Sequence, residues 1–250
     1  LLIFGFYRWK GPLKVHGQPT GRLIERFSDW ERIVHWTTAI SFVVLAVTGI
    51  IILFGKYVIL PMFGYTLFSW LAILGKNLHN FVGPLFVFCT LVMFVTFVKD
   101  NVWQRIDFNW VAQAGGLLNG KHVPSGRYNA GEKAWFWFGV TFLGLVSGAT
   151  GLVLDFPNFD QGRSVMQLVN VVHGISAVLF IALAFSHIYI GTIGAEGAYE
   201  SMRLGLVDEA WAKEHHEIWY EEVKASKARQ HFADDIPVDV KAQVVQATKA

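Results

Sequence analysis

The chain has 250 residues, of which 53% are hydrophobic, 15% aromatic and only 16% charged, with a formal net charge of +2. So apolar a chain is a membrane protein, not a soluble domain, and so small a net charge leaves no electrostatic footprint for nucleic acid. The lone cysteine, Cys89, excludes a disulfide, a CxxCH haem attachment and a Cys-ligated iron–sulfur cluster.

Residues 1–7 are apolar and lead into Arg8, Trp9 and Lys10. They read as the cytoplasmic end of an extra N-terminal transmembrane helix, with a short interfacial anchor as the alternative. Residues 8–32 form a polar lead-in that closes on Ser28-Asp29-Trp30-Glu31, a capping-box pattern for the helix that follows. Residues 33–194 hold four apolar runs, 33–54, 78–98, 134–154 and 169–193, each near the ~20 residues a helix needs to span a bilayer. The expected fold is therefore all-α, a four-transmembrane-helix bundle. Residues 55–76 are apolar but interrupted by Pro61 and Gly64, which predicts a short helix and turn at the outer interface. Turn signals mark 99–133 at Gly115-Gly116, Asn119-Gly120 and Pro124-Ser125-Gly126. The third run carries Gly144, Gly148 and Gly151 at helical spacing. Such glycines let helices pack closely; they, Gly49 and Gly83 could also make room for a flat macrocycle. The tail, 195–250, is polar, and residues 211–228 read as an amphipathic helix.

Four histidines are the only Lys, Arg, Asp, Glu or His residues inside the four runs, and an intramembrane ionisable residue of this kind is a functional candidate. His35 and His79 stand near the starts of the first two runs, and His173 and His187 share the fourth. Consecutive spans alternate in direction, so His79 and His173 fall at one level and His35 and His187 at the other. On the fourth helix the two rings lie about 40° apart in azimuth and about 21 Å apart in depth. Two imidazoles per level suit the axial positions of a haem iron, whereas zinc normally takes three or four clustered protein ligands. The pattern reads as two b-type haems. Buried histidines acting only as interhelical hydrogen-bond partners, in a haem-free membrane anchor, are the bland alternative. The pair His215-His216 has no further ligands beside it and is set aside as a metal site.

Lys and Arg number eighteen in 1–32, 99–133 and 195–250, against three (Lys56, Lys76, Arg163) in the intervening loops. By the positive-inside rule the first three segments, and the C-terminus, face the cytoplasm. Arg32 and Lys76 each lie three residues before a histidine and are candidate haem-propionate partners, or ordinary interfacial anchors. Glu132 lies at the mouth of the third helix, where the macrodipole alone favours an acid. It also lies at the level of the inner haem, where a quinone under reduction needs protons, and Asn129 and Gly131 could hydrogen-bond its carbonyl.

Glu31-Arg32-Ile33-Val34-His35-Trp36, Leu78-His79-Asn80-Phe81-Val82-Gly83, Tyr128-Asn129-Ala130-Gly131-Glu132-Lys133, Val172-His173-Gly174 and Ser186-His187-Ile188-Tyr189 carry a resemblance. Together with 211–216 and Trp219-Tyr220, they resemble the cytochrome b (gamma) subunit of membrane-bound respiratory formate dehydrogenases, over about 26–223. The resemblance implies that His79 and His173 hold an outer haem b, and His35 and His187 an inner one. It implies a quinone site, for menaquinone or ubiquinone, lined by Asn129, Gly131 and Glu132. It further implies a bacterial inner-membrane complex with an iron–sulfur subunit and a molybdenum or tungsten catalytic subunit. The chain would pass electrons from the periplasmic iron–sulfur subunit to quinone on the cytoplasmic side, without oxidising formate itself. The cytochrome b subunit of a nickel–iron hydrogenase, or of a thiosulfate or polysulfide reductase, shares the same plan.

Overall fold

The computed structural model describes residues 2–116, 123–226 and 236–248. The expected turn at Asn119-Gly120, Leu1 and residues 227–228 of the expected amphipathic helix lie outside the described residues. The chain divides into two compact units: a polar unit of residues 1–32, 98–136 and 184–250, and a helical unit of residues 33–97 and 137–183.

In chain order the elements are α1 (Leu2–Lys10), β1 (Leu23–Glu25), α2 (Asp29–Phe97), α3 (Arg105–Ala112), α4 (Ala130–Asp155), α5 (Arg163–Gly194), α6 (Ala198–Leu204), β2 (Leu206–Asp208), α7 (Glu209–His215), α8 (Glu217–Ser226) and α9 (Val238–Ala247). Three of these, α2, α4 and α5, are long and apolar enough to cross a membrane. Large apolar side chains such as Ile40, Val47, Phe81, Phe88, Val95, Leu145 and Leu179 stand exposed along them. In water that would cost far too much; in lipid it costs nothing.

A straight helix of 69 residues would be about 100 Å long, over three times the ~30 Å hydrocarbon core. Instead α2 breaks at Gly64, whose φ of 82° and ψ of 172° belong to a region open essentially to glycine alone. The two halves then fold back on each other. Gly55 packs against Phe68 and Gly75 against Thr48, Thr48 bonds His79, Phe42 meets Phe86, and Thr38 contacts the carbonyl of Cys89. Each step toward the N-terminus on one half is matched by a step toward the C-terminus on the other, so the halves are antiparallel. The expected separate short helix in 55–76 is thus corrected: helix continues through Pro61 to Gly64 and resumes at once. A single Pro removes one backbone donor, whereas reversal needs a backbone conformation that only Gly64 supplies.

Ser28 and Glu31 form the expected capping box: Glu31 Oε2 accepts from Ser28 N at 2.8 Å, and Ser28 Oγ accepts from Glu31 N at 3.4 Å. The turn signal at Gly115 and Gly116 is matched by positive φ at both. α1 buries no residue, but Phe6 and Tyr7 meet Tyr189 edge-on.

The polar unit holds structure the sequence did not suggest. β1 pairs antiparallel with β2, Ile24 opposite Val207. The tail is not one amphipathic helix but α7 and α8, separated at His216. Asp208 is fully buried and accepts from Thr20 N, Thr20 Oγ1, Gly21 N and Ala210 N, which satisfies its charge. Ile24, Val207, Trp211, Ala212, Trp219, Tyr220 and Val223 make the core of this unit.

Candidate functional site

Within the helical unit, His79 on the second half of α2 and His173 on α5 face each other, ring centroids 6.2 Å apart and planes at 85°. Their Nδ1 atoms are both engaged. Thr48 Oγ1 donates to Val44 O at 2.7 Å and lies 2.9 Å from His79 Nδ1. The ring also hydrogen-bonds the carbonyl of Leu45, which can only accept, so His79 carries its proton on this side and the Thr48 oxygen, with its own proton on Val44 O, accepts beside it. His173 Nδ1 lies 3.0 Å from the carbonyl of Ser147, which can only accept, and 3.1 Å from Thr150 Oγ1; Thr150 likewise donates to its own Val146 O at 2.6 Å. Both histidines are therefore held as the Nδ1–H tautomer, leaving each Nε2 a free lone pair. That is the form in which neutral imidazole ligates a metal, with the other nitrogen fixed by a carbonyl or hydroxyl.

The two rings line a cavity of about 550 Å³, within the ordinary range for cofactor pockets. Gly49, Gly83, Gly148, Gly151 and Gly174 also line it. A Cβ on Gly83 or Gly174 would meet nothing within 4 Å, so both open onto space. By contrast, a Cβ on Gly148 would come within 3.0 Å of Val87 Cγ2, and one on Gly144 within 3.2 Å of Thr90 Cγ2. Helix packing is thus the role of Gly144 and Gly148.

A haem fits these residues. Two imidazoles on opposite faces of one metal, each about 2 Å from it, have ring centres about 6 Å apart, as observed. Among the described residues no group of three or more His, Cys, Asp or Glu could hold a metal ion, so a site with two protein ligands and a macrocycle suits this donor set and a zinc site does not.

The remaining expected residues fall as follows. Lys76 lines the same cavity, with Asn80, Asp155 and Asn170. Arg32, in the polar unit, binds Asp29 at 2.9 Å and the carbonyl of Arg203. His35 belongs to the helical unit and His187 to the polar unit. His35 meets its neighbour Trp36 edge-on, while His187 stacks on Trp135 of α4, centroids 4.8 Å apart and planes at 10°. One turn before Trp135, Asn129 and Glu132 cap α4 reciprocally: Asn129 Oδ1 accepts from Glu132 N at 3.0 Å and Glu132 Oε2 from Asn129 N at 2.8 Å. The other oxygen of Glu132 accepts from the buried Arg26, Nη2 to Oε1 2.9 Å. Gly131 lets Trp110 close on the same turn, since a Cβ there would stand 3.2 Å from its ring. His216, set aside as a ligand, is buried between Trp211 and Trp219 and donates Nδ1–H to Gly126 O at 2.8 Å.

Two features went unread in the sequence although their signals are there. His35, His79 and His173 are each followed seven residues later by Phe (Phe42, Phe86, Phe180), two turns along the same face. These three rings meet, Phe42 to Phe180 at 4.7 Å. The other is the dipeptide Thr48-Gly49, repeated as Thr150-Gly151.

The family model for prokaryotic cytochrome b561 matches residues 26–204. The chain is 32% identical to the formate dehydrogenase cytochrome b556(fdo) subunit of Escherichia coli (strain K12), over 83% of this chain and 96% of that one. It is 30% identical to the nitrate-inducible formate dehydrogenase cytochrome b556(Fdn) subunit of the same organism, over 86% and 98%. A formate dehydrogenase cytochrome b556 subunit of Haemophilus influenzae is 26% identical, over 82% and 85%. With a facing pair of tautomerically fixed imidazoles in a glycine-lined cavity between apolar helices, the chain belongs to the prokaryotic cytochrome b561 family, integral membrane proteins that carry b-type haem.

Proposed function

We propose that the chain is the cytochrome b subunit of a formate dehydrogenase complex, carrying electrons through the membrane to quinone. The facing pair His79 and His173 carries this reading, and the names of the relatives favour formate dehydrogenase over a hydrogenase or a thiosulfate or polysulfide reductase. When bound, a b haem supplies reversible one-electron transfer. The chain's own residues hold the two ligands as Nδ1–H tautomers, line the cavity with glycines, and surround it with apolar helix that excludes water.

With α2 counted as two spans across Gly64, the membrane domain has four helices and two levels of histidine. His79 and His173 hold the outer haem, and His35 and His187 the inner. The polar unit unites the three basic segments, which supports placing them together on the cytoplasmic side, and the termini with them. Quinone is reduced there beside His187, with Asn129, Gly131 and Glu132 at its site and protons drawn from the cytoplasm. Both Glu132 oxygens are engaged, so proton uptake by that carboxyl requires Arg26 to release it. The electron donor is a periplasmic iron–sulfur subunit fed by a molybdenum or tungsten formate-oxidising subunit, in a bacterial inner membrane. Lys76 on the cavity wall and Arg32 are the cations for the propionates.

A dithionite-reduced minus oxidised spectrum, with pyridine haemochrome quantitation, tests the reading on wild type, His79→Ala and His187→Ala. Two b haems per chain are expected, each substitution removing or shifting a different one. A protein without a Soret band leaves a haem-free anchor instead, and haem indifferent to both changes overturns the ligand assignment.

A further inference from the structure

Helix α4 carries no histidine in its apolar run, yet it touches His173 in the same way that the first half of α2 touches His79. On α2, Thr48 Oγ1 lies 2.9 Å from His79 Nδ1, and a Cβ on the next residue, Gly49, would stand 3.3 Å from His79 Cε1. On α4, Thr150 Oγ1 lies 3.1 Å from His173 Nδ1, and a Cβ on Gly151 would stand 3.2 Å from His173 Cε1. Each threonine spends its own proton on the carbonyl four residues back, Val44 O or Val146 O. Each is therefore an acceptor toward the ring, while the glycine lets the helix backbone close on the ring edge. In both clamps the backbone carbonyl three residues before the threonine also reaches the ring: Ser147 O lies 3.0 Å from His173 Nδ1, and His79 hydrogen-bonds the carbonyl of Leu45. No side-chain substitution removes either carbonyl. Of the two threonine hydroxyls, that of Thr48 lies closer to its ring, 2.9 Å against 3.1 Å.

We propose that Thr48-Gly49 and Thr150-Gly151 are a matched pair of positioning clamps that fix the tautomer and ring orientation of the two outer ligands, and that Thr48 tunes the outer haem potential. This rests on the reading of His79 and His173 as haem ligands. An Nδ1–H that donates makes the imidazole a more basic ligand, which favours ferric over ferrous iron and lowers the potential. Removing the Thr48 hydroxyl takes away one of the two acceptors at His79 and raises the potential.

The test uses the whole chain in its complex, in detergent or nanodiscs, with haem content, a potentiometric titration followed in the visible α band, and the low-temperature EPR of the ferric low-spin haems. Thr48→Val is the isostere without the hydroxyl. Two haems per chain are expected, one with its reduction equilibrium shifted toward ferrous by about tenfold, about 60 mV for a one-electron couple, and with altered g values; the other is unmoved. Thr48→Ser restores both readouts. Gly49→Ala turns the ring and shifts the EPR signal of the same haem. Thr96→Val, which loses a hydroxyl bonded to its own helix carbonyl Val92 O, shifts neither haem. If Thr48→Val costs the outer haem altogether, the clamp stands when Thr48→Ser retains it and Thr96→Val does too; loss in Thr96→Val as well overturns it. Two haems with unmoved potentials and EPR in Thr48→Val overturn the clamp alone. A wild-type protein without this haem overturns the ligand reading, and the clamp with it.

Discussion

Lys133 and Asp107 are the charged residues with most at stake in the polar unit. Their side chains are 3% and 1% exposed, Nζ lies 2.7 Å from Oδ2, and Nζ also donates to Val102 O at 3.1 Å. Asp107 Oδ2 in turn accepts from Gln104 N at 2.6 Å and so caps α3. Truncating one partner of a buried pair leaves the other as an uncompensated charge, which typically costs about 3–5 kcal/mol. Lys133→Met is expected to destabilise the protein by that order, and Lys133→Met with Asp107→Asn by clearly less. Thermal unfolding in one detergent, with haem content as a second readout, checks this; equal losses for single and double variants refute it. The sequence shows Lys133 only as another basic residue near a helix start. Its partner, 26 positions away, is invisible to any local pattern.

At the scale of elements, the reversal of α2 depends on one glycine. A side chain at the φ and ψ of Gly64 is strained by about 1–3 kcal/mol, although a Cβ there would meet nothing within 4 Å. Gly64→Ala should therefore lower the unfolding midpoint through backbone strain alone, while Gly5→Ala, on an exposed helix with equal space, should not. Identical melting of both variants would mean that the turn relaxes elsewhere. The same helices explain why hydropathy read the spans well and their ends badly. Apolar content determines which segments enter lipid, but 55–76 is apolar too, and nothing in its composition marks where helix stops. The π-helical stretches Trp135–Leu143, which opens on the ring stacked against His187, and Ile190–Gly194, which follows His187 along α5, are equally silent in the sequence; such bulges recur at functional sites.

For the whole molecule, pH acts on the ties that hold the lead-in to the tail. His16 Nδ1 lies 2.6 Å from Glu214 Oε1, and Glu214 Oε2 accepts from His16 N and Gly17 N. The hydrogen bond to Glu214 raises the His16 pKa above 6.5. Burial pushes Glu214 up, but its bonds from His16 and Gly17 outweigh this and hold it below 4.5. The His16 contribution is complete below pH 6.5 and is lost as pH rises through the raised pKa; the Glu214 contribution is complete above pH 4.5 and is lost as pH falls through the lowered one. His216 acts on the acid side. Burial holds its pKa well below 6.5, so the unfolded chain binds the proton first and stability declines as pH drops below 6.5. Hydrogen-exchange protection, corrected for intrinsic rates, should weaken at residues 16–17 on the alkaline side and near 216–220 on the acid side. His16→Asn should abolish the first limb and His216→Asn the second; a limb that survives its substitution refutes its assignment.

The sequence by itself determined that the chain lives in a membrane, which segments are apolar, where the four intramembrane histidines fall, and that Ser28 and Glu31 open a helix. These are matters of composition and spacing, and a bilayer reads composition directly, because any charge or unsatisfied backbone group in its core is expensive. What only the tertiary structure decided is how particular atoms meet. It brought His79 to His173, gave Thr48 and Thr150 to their Nδ1 atoms, turned Asn129 and Glu132 into a helix cap with Arg26 as partner, and paired β1 with β2 across some 180 residues. Hydrogen bonds act over about 3 Å in defined directions, and distance along the chain does not record nearness in space.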